Sequence, residues 1–419
     1  MIYFKLKNVL HQGRASLKAA PTEILTFEEE QDFSVMCLRI SQLFFYGTIG
    51  LLLSWLALFY RYSVPSTRTT QQYELPHRPV LDGPTAVNEK LQGVAYILKD
   101  KIEGPESLVV EGDSIYTGLY DGRVVHIKDG KIVTEVRFTK QAKCGSFETE
   151  PLCGRPLGIR RLNEKEFLVA DAYLGIFAVD FKSGNFRHIV KSNVPIDGRY
   201  MRFVNDVEVL NEDEFVFTDS SSRWDRRHVL HIIIEHEATG RIFKHKISTG
   251  KTTVLVDNLF LPNGVQLHPD RRSILFAECN MARIGRLNLE TNEVTPFALN
   301  LPGLPDNIRQ GAGDTLWVGM AGVRHAGAPS VIDAAGPYPL LRQIFLDFVP
   351  EYWWIKHVHL IRPRHAMVIQ LNADGEIIQS LHDTKGTHIQ DVSQVSQSGD
   401  YLFFGSFHNR YIAKLYIER

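Results

Sequence analysis

The chain has 419 residues, of which 44% are hydrophobic, and a formal net charge of −1. This length can bury a large core, as one all-β domain or as two domains. The nearly neutral charge, without a long basic run, argues against nucleic acid as the main partner. Four cysteines are too few for a disulfide-rich scaffold.

The N-terminal region contains one strongly apolar segment. We interpret residues 1–42, which mix charged and apolar residues, as a cytoplasmic tail. Residues 43–60 carry no charge and are long enough to cross a bilayer as a helix. A buried core helix would show a polar face, and a cleaved signal peptide would begin earlier in the chain. We therefore predict a single transmembrane anchor.

The orientation of this anchor depends on weaker signals. Lys and Arg residues are balanced on its two sides and indicate neither orientation. The large C-terminal part favours a type II protein, with an extracellular or lumenal domain at the plasma membrane or endoplasmic reticulum. Cys144 and Cys153 flank one short loop and either pair or remain thiols, and pairing would require an oxidising compartment.

Residues 61–100 are rich in Pro and Thr and predict a stalk. From Lys101 onward, short alternating strands are separated by Asp-Gly, Ser-Gly and Thr-Gly turns. The repeat length of about 45 to 60 residues is that of a four-stranded propeller blade. Residues 101–419 therefore predict an all-β, six-bladed β-propeller. The six units begin near Pro105, Pro156, Asn205, Asn263, Asp306 and His388.

A longer gap before the last unit contains an apolar, partly helical segment. We expect it to cover one face of the propeller disc. The simplest interpretation of Trp353 and Trp354 is that they pack this insertion on the disc. A substrate lid is the alternative, since long excursions are often functional.

A polar residue recurs at one position of the repeat. Asn205, Asn263 and Asp306 each stand at the start of an inner strand, and Glu106 has the same phase. Taken alone, each is an ordinary turn or surface residue. Because inner strands line the central channel, the four side chains are expected to converge. Two carboxylates and two amide carbonyls are hard oxygen donors, which favour Ca²⁺ over Zn²⁺ or Mg²⁺.

Several motifs in order resemble the strictosidine synthase-like family, and more distantly paraoxonases, regucalcin and diisopropyl fluorophosphatase. They are GPESLVVEGDSIYTG, CGRPLGIR, FVNDVEV, FTDSSSRWDRR, LPNGVQLHPD and LPDNIR, and the resemblance extends from about Leu91 to the C-terminus. It implies a six-bladed propeller with calcium in the channel and a loop disulfide between Cys144 and Cys153. The implied calcium ligands are Glu106, Asn205, Asn263 and Asp306, with Asn307 as a fifth candidate.

Three positions depart from the patterns of these families. Thr387 stands where plant strictosidine synthases have a catalytic glutamate, and threonine cannot act as a carboxylate base. Leu157 and Ala172 stand where paraoxonases have a histidine pair. We therefore expect neither alkaloid synthesis nor paraoxonase-type lactonase chemistry.

The resemblance implies instead a calcium-dependent ester hydrolysis, similar to that of an arylesterase or carboxylesterase, on a small-molecule ester. Asp306 would orient the attacking water or attack as a nucleophile. His388 is a candidate general base near the channel mouth, with a structural histidine as the alternative. The competing hypothesis is a non-catalytic binding or adhesion module with a structural calcium and a protein partner.

Three further histidines, His228, His231 and His236, invite a zinc hypothesis. The segment VLHIIIE is rich in β-branched residues and predicts a strand. On a strand, His228 and His231 would face opposite sides, so we do not expect a zinc site. The nearby SSSRWDRR predicts a polar loop, not a phosphate site, because it lacks a glycine-rich cradle.

Overall fold

The computed structural model describes residues 27–63, 69–351, 353, 357 and 363–417. The chain forms two compact units, Met1–Arg68 and Thr69–Arg419. The first unit contains helix α1, Phe27–Ser63. Within it, Leu38–Tyr60 is long and apolar enough to cross a membrane, and none of its most apolar part is buried by the described protein. This exposure argues against a buried core helix. The helix extends into the predicted tail, of which residues 1–26 lie outside the described residues.

The second unit consists of six four-stranded antiparallel sheets, which form the blades of a propeller. This confirms the predicted fold. Strands β2 to β13 form the first three blades and β14 to β24, with β1, the other three. In chain order, β1 to β12 are Ala95–Ile97, Leu108–Glu111, Ser114–Gly118, Arg123–Lys128, Lys131–Arg137, Pro156–Arg161, Phe167–Asp171, Gly175–Asp180, Asn185–Lys191, Val204–Val209, Glu214–Asp219 and Gly240–Lys246. Strands β13 to β24 are Lys251–Leu259, Pro262–Leu267, Ser273–Glu278, Arg283–Asn288, Val294–Ala298, Gly303–Gln310, Leu316–Val323, Ala366–Leu371, Ile377–Asp383, Gln394–Ser398, Tyr401–Gly405 and Ile412–Tyr416.

The hydrophobic core lies between neighbouring blades. The inner strands β2, β6, β10, β14, β18 and β22 contact one another in a ring around the axis. Every residue of β15 is buried, whereas most of the outer strand β9 is exposed. One apolar cluster, for example, joins Val216 and Ile242 of blade three to Val265 and Phe276 of blade four. The short alternating strands therefore form sheets that are stabilised by packing against the next blade.

The ring is closed by the N-terminal end of the second unit. Strand β1, Ala95–Ile97, pairs with β24 and supplies the outer strand of the sixth blade. Residues 69–100 had been assigned to the stalk, but the structure places them in the propeller unit, where Leu91 is fully buried. The propeller boundary therefore lies earlier than residue 101. A three-residue strand that pairs across the whole unit leaves no local signal in the sequence.

The helices whose bounds the structure describes are α1, α2 (Glu150–Cys153), α3 (Val229–Glu235), α4 (Val331–Ala335) and α5 (Pro339–Phe348). Short 3₁₀ turns cover Gly83–Thr85, Lys90–Gly93, Arg226–His228 and Cys279–Met281. Helices α4 and α5 belong to the insertion between β19 and β20. Trp353 is 52% exposed and stacks on His357, so it is not a buried packing residue. Trp354 lies outside the described residues.

The strand predicted for VLHIIIE is wrong, because this segment is helix α3. Asp225 caps the preceding 3₁₀ turn, and Ile232 is buried, so tertiary packing outweighs the β-branched composition. His228 and His231 do not face opposite sides. Both lie within 3.3 Å of the Glu351 carboxylate. Among the described residues, no group of three His, Cys, Asp or Glu side chains is placed to hold a metal.

Candidate metal centre at the propeller axis

The inner strands of blades two to five share one irregularity. In blades two to four, their pairing with the second strand shifts register after the first paired residue, and in blade five it shifts after Leu304 and again after Pro305. The shift leaves two residues of each inner strand outside the regular ladder, and such bulges re-aim side chains. In blades three, four and five, these pairs are Asn205–Asp206, Asn263–Gly264 and Asp306–Asn307. The repeated polar position predicted from the sequence is therefore a repeated bulge.

Glycines allow the bulges of neighbouring blades to approach closely. A Cβ on Gly264 would lie 2.6 Å from the Cα of Asn307, and one on Gly158 would lie 2.7 Å from the Cα of Asp206. Real Cβ atoms do not make such contacts with backbone. The two glycines are therefore required by packing at the axis.

All five predicted ligand residues have a buried side-chain oxygen without a hydrogen-bond partner. The atoms are Glu106 Oε2, Asn205 Oδ1, Asn263 Oδ1, Asp306 Oδ1 and Asn307 Oδ1. Buried polar atoms are normally hydrogen-bonded, because an unpaired one costs roughly 1–3 kcal/mol. Five such oxygens, four at the recurring polar position and one on Asn307 beside it, fit a hard cation, for which they would be ligands. The set combines two carboxylates with three amides and contains no His or Cys.

Hydrogen bonds around the site leave these oxygens available. The Asn205 amide nitrogen donates to Ser220 Oγ at 3.0 Å, which leaves Oδ1 free. Ser220 in turn donates to the Pro262 carbonyl at 2.6 Å. The Asn307 backbone N–H donates to the Ser393 carbonyl at 2.9 Å, and Ser393 Oγ donates to the Glu106 carbonyl at 2.8 Å. These hydrogen bonds therefore link neighbouring blades next to the ligand candidates.

The two carboxylates of the set have raised pKa values. Burial raises the pKa of Glu106 to about 7, against the opposing effect of the Arg155 charge. Burial also raises the pKa of Asp306 well above its usual range, and the negative charges of Glu106 and Asp206 add to this effect. The effect of Glu106 on the pKa of Asp306 is that of a nearby negative charge. A divalent cation bound between them would favour their ionised forms.

An ion-pair cluster lies on the same inner strands as the five residues. Arg309 donates to both oxygens of Asp206, at 2.8 and 2.9 Å, and its Nη2 also donates to Ser107 Oγ at 2.9 Å. Arg160 lies 3.8 Å from Asp206 and 2.7 Å from Glu208. Burial opposes ionisation of Asp206, but Arg309 and Arg160 outweigh it and lower the pKa. Asp206 is thus satisfied by arginine, whereas the neighbouring Asn205 keeps an unpaired oxygen.

An apolar cluster forms where the paraoxonase histidines would stand. Leu157 and Ala172 are buried together with Ile232 of helix α3, Leu261 and Cys279. Burial raises the pKa of the Cys279 thiol, and the negative charge of Asp306 adds to this effect. We call this cluster the roof of the site, because Leu261 in it and Leu304 packed against it each lie two residues before a ligand candidate.

His388 does not lie with the metal-ligand candidates. Its backbone carbonyl accepts hydrogen bonds from Tyr96 of the outer strand β1 and from Tyr411. Its backbone N–H donates to Asp383 at the end of the outer strand β21, and its ring contacts Thr387. The connection from β21 to β22 runs from the rim to the axis, and His388 is near its start. The predicted position at the channel mouth is therefore not what the structure shows.

A pair of arginines near Glu106 was not singled out from the sequence. Arg155 is fully buried and donates to the carbonyls of Gly104 and Phe407, at 2.9 and 3.1 Å. Arg226 forms a bidentate ion pair with the buried Glu150, which also accepts from Tyr173 at 2.6 Å. The positive charges of both arginines oppose the rise that burial causes in the pKa of Glu106. The motif CGRPLGIR contains Arg155, but nothing in a single sequence relates it to Glu106.

Glu150 is held in a segment that the disulfide stabilises. Cys144 and Cys153 are bonded, as the family resemblance implied. Helix α2, which contains Glu150, ends at Cys153. The disulfide therefore restricts the loop that supplies the partner of Arg226.

Fold and site together define a class: a six-bladed propeller with an axial cluster of oxygen ligands. Two family models match the chain, one described as strictosidine synthase at residues 205–292 and one as strictosidine synthase-like, N-terminal, at residues 83–127. The adipocyte plasma membrane-associated protein of Salmo salar is 38% identical over 349 residues, covering 82% of this chain and 83% of that protein. Its Homo sapiens counterpart is 36% identical over 344 residues, covering 81% and 82%. Protein strictosidine synthase-like 3 of Arabidopsis thaliana is 31% identical over 335 residues, covering 75% and 82%.

The chain therefore belongs to the strictosidine synthase-like family. Solved structures with a similar fold include regucalcin, a calcium-binding protein from Agrobacterium tumefaciens, with a TM-score of 0.49 and 14% identity, covering 77% of this chain and 93% of that one. A gluconolactonase from Xanthomonas campestris also has a TM-score of 0.49 and 14% identity, covering 83% and 99%.

Proposed function

We propose that this chain is a membrane-anchored, calcium-dependent hydrolase of small-molecule esters, with arylesterase- or carboxylesterase-like activity. The observation that carries the proposal is the set of five buried, unpartnered oxygens at the axis. Glu106, Asn205, Asn263, Asp306 and Asn307 would hold the ion. When bound, calcium would polarise the ester carbonyl and stabilise the charge that develops on its oxygen.

The remaining roles fall to the residues of the chain. Asp306, whose Oδ1 has no partner, would orient the attacking water or attack the ester itself. The apolar roof of Leu157, Ala172 and Ile232 would receive the apolar part of the ester and exclude bulk water. His388 has no role in this proposal, because its contacts lie at the outer strands of the blades.

The proposed topology is type II, with the propeller on the extracellular or lumenal side of the plasma membrane or endoplasmic reticulum. The Cys144–Cys153 disulfide supports it, because disulfides persist in oxidising compartments. Protease protection of the propeller in sealed microsomes tests this orientation. Digestion of the propeller without detergent would contradict it.

The test of catalysis is hydrolysis of aryl acetates by the purified full chain in detergent, with calcium and with a chelator. We expect chelation and Asp306→Asn each to lower the rate roughly 100-fold or more. Asp171→Asn is the matched control, since Asp171 is equally buried and also has an unpartnered oxygen but lies outside the axial set. A rate that neither chelation nor Asp306→Asn changes would exclude this mechanism.

A second candidate is a non-catalytic binding module with a structural calcium. The roof over the site favours it, because Leu157, Ala172 and Ile232 are each at most 2% exposed. A chelator titration that follows the melting temperature and the esterase rate separates the two functions. A structural ion would change the melting temperature of a protein that shows no turnover.

A further inference from the structure

Helix α5, Pro339–Phe348, buries two polar side chains and exposes several apolar ones, with Asp347 exposed at their edge. The buried residues of this helix are Arg342 and Gln343. Arg342 donates to backbone carbonyls of Ala335, Gly336, Gln71 and Ile234. This arrangement inverts the usual pattern of a surface helix, in which the apolar stripe faces the core.

Gln343 connects the helix to the beginning of the propeller unit. Its Oε1 accepts the backbone N–H groups of Thr69 and Thr70, at 3.1 and 3.4 Å. Thr70 Oγ1 donates to the Pro339 carbonyl at 2.9 Å. The buried polar side chains of α5 therefore make hydrogen bonds within the propeller unit, and its apolar side faces outward.

The outward side of α5 is a continuous apolar stripe. Leu340, Leu341 and Phe348 are 45%, 61% and 57% exposed, and the partly exposed Ile344 lies between them on the helix surface. Two apolar residues just before the helix, Val331 and Tyr338, are each 57% exposed. Exposed apolar clusters of this kind mark surfaces that contact a partner or a membrane.

We propose that this stripe lies in the interfacial layer of the membrane in which the chain is anchored. Eight residues separate Tyr60, the end of the apolar span, from Thr69, which is hydrogen-bonded to α5. A chain of this length reaches at most about 30 Å, which allows α5 to lie at the bilayer surface. An amphipathic helix with leucine and aromatic side chains on its apolar face is suited to the boundary between headgroups and acyl chains.

The experiment uses the full chain reconstituted in phosphatidylcholine vesicles, with a nitroxide attached to one introduced cysteine. The background is Cys37→Ser, and Cys279 is buried. Leu340→Cys and Leu341→Cys place the label on the stripe. Val294→Cys is the matched control, because Val294 is 47% exposed on the outer strand β17 of blade four. Each labelled protein must melt like its parent.

We expect labels at 340 and 341 to be relaxed strongly by oxygen, which concentrates in lipid, and weakly by a polar nickel chelate. The label at 294 should show the opposite preference. Equal access of the nickel chelate to all three positions would overturn the proposal, because the stripe would then face water. Protection of 340 and 341 from both reagents would also overturn it, because protein and not lipid would then cover the stripe.

Discussion

Arg309 and Asp206 form a bidentate ion pair that joins the inner strands of the fifth and third blades. The two hydrogen bonds are 2.8 and 2.9 Å long, and the side chains are 7% and 0% exposed. Asp206 comes one position after the ligand candidate Asn205 on its inner strand. Arg309 comes three positions after the candidate Asp306 on its own inner strand. Alternate residues of a strand point to opposite sides, so the same strands supply both the ion pair and the open oxygens.

Removing one partner of this pair should destabilise the propeller strongly. Arg309→Met would leave Asp206 as a buried charge without its main partner, at a cost of about 3–5 kcal/mol. Arg187→Met breaks an exposed pair with Glu166 and should cost at most about 1 kcal/mol. Urea unfolding measures both. Equal losses of stability in the two variants would show that the axial pair has no special role.

Calcium should stabilise the propeller through Glu106. At a calcium concentration 100 times its Kd, binding adds about 2.7 kcal/mol to the free energy of unfolding, or roughly 5 °C in melting temperature. Glu106→Gln should abolish this shift, whereas Asp171→Asn should lower the melting temperature in calcium and in chelator alike. Thermal melts in both conditions provide the measurement. A calcium shift retained in Glu106→Gln would remove Glu106 from the ligand set.

Strand β1 should be required for closure of the ring. A chain that begins at Thr69 retains the pairing of Ala95–Ile97 with β24, and we expect it to unfold in one cooperative transition. A chain that begins at Lys101 lacks the outer strand of blade six and exposes an edge that can aggregate. Calorimetry compares the melting temperatures of the two chains, and size-exclusion chromatography compares their monodispersity. Equal melting temperatures and monodispersity would show that β1 is dispensable.

Three histidines next to the insertion should make stability depend on pH. His365 contacts His325 at 3.3 Å and His382 at 2.8 Å, and His382 also contacts Ser380 at 2.7 Å. Burial, and then the charge of neighbouring histidines, lowers the pKa values of His365 and His382 to about 4. In the unfolded chain these values return to about 6.5. The unfolded state therefore binds more protons between pH 6.5 and 4, and stability falls as the pH falls through this window.

His382→Gln keeps a side chain that can hydrogen-bond but cannot titrate. It should reduce the loss of stability between pH 7 and pH 5 by roughly 1 kcal/mol. Urea unfolding at the two pH values measures the difference. His77→Gln, at an exposed histidine, should keep the parent's pH dependence. If His382→Gln showed the same pH dependence of stability as the parent, this would contradict the role assigned to His325, His365 and His382.

The sequence predicted the features that recur from blade to blade. Inner strands start close to Pro105, Pro156, Asn205, Asn263 and Asp306, because each strand has its own alternation and turns. The sixth inner strand begins at Gln394, six residues after His388, because His388 belongs to the connection from β21 to β22. His388 therefore precedes its inner strand instead of standing at its start. The polar residue at the bulge could be predicted, but the bulge itself could not.

Features that depend on distant contacts were not visible in the sequence. Helix α3 is held by burial of Ile232 against Leu157 and Cys279, residues far away in the chain. Strand β1 is defined by its partner β24, and Arg309 by Asp206. The local sequence does not indicate which distant residues will be the partners. Prediction therefore succeeded for the blades and failed at helix α3 and the closure, whereas the ligand set stays a prediction.

The central claim is that the five axial oxygens bind one calcium ion. The most direct measurement is an anomalous difference map from calcium-grown crystals of the protein. We predict a single peak on the axis within about 2.3–2.6 Å of oxygens from Glu106, Asn205, Asn263 and Asp306. An axis without a peak, with these side chains hydrogen-bonded to water alone, would contradict the account.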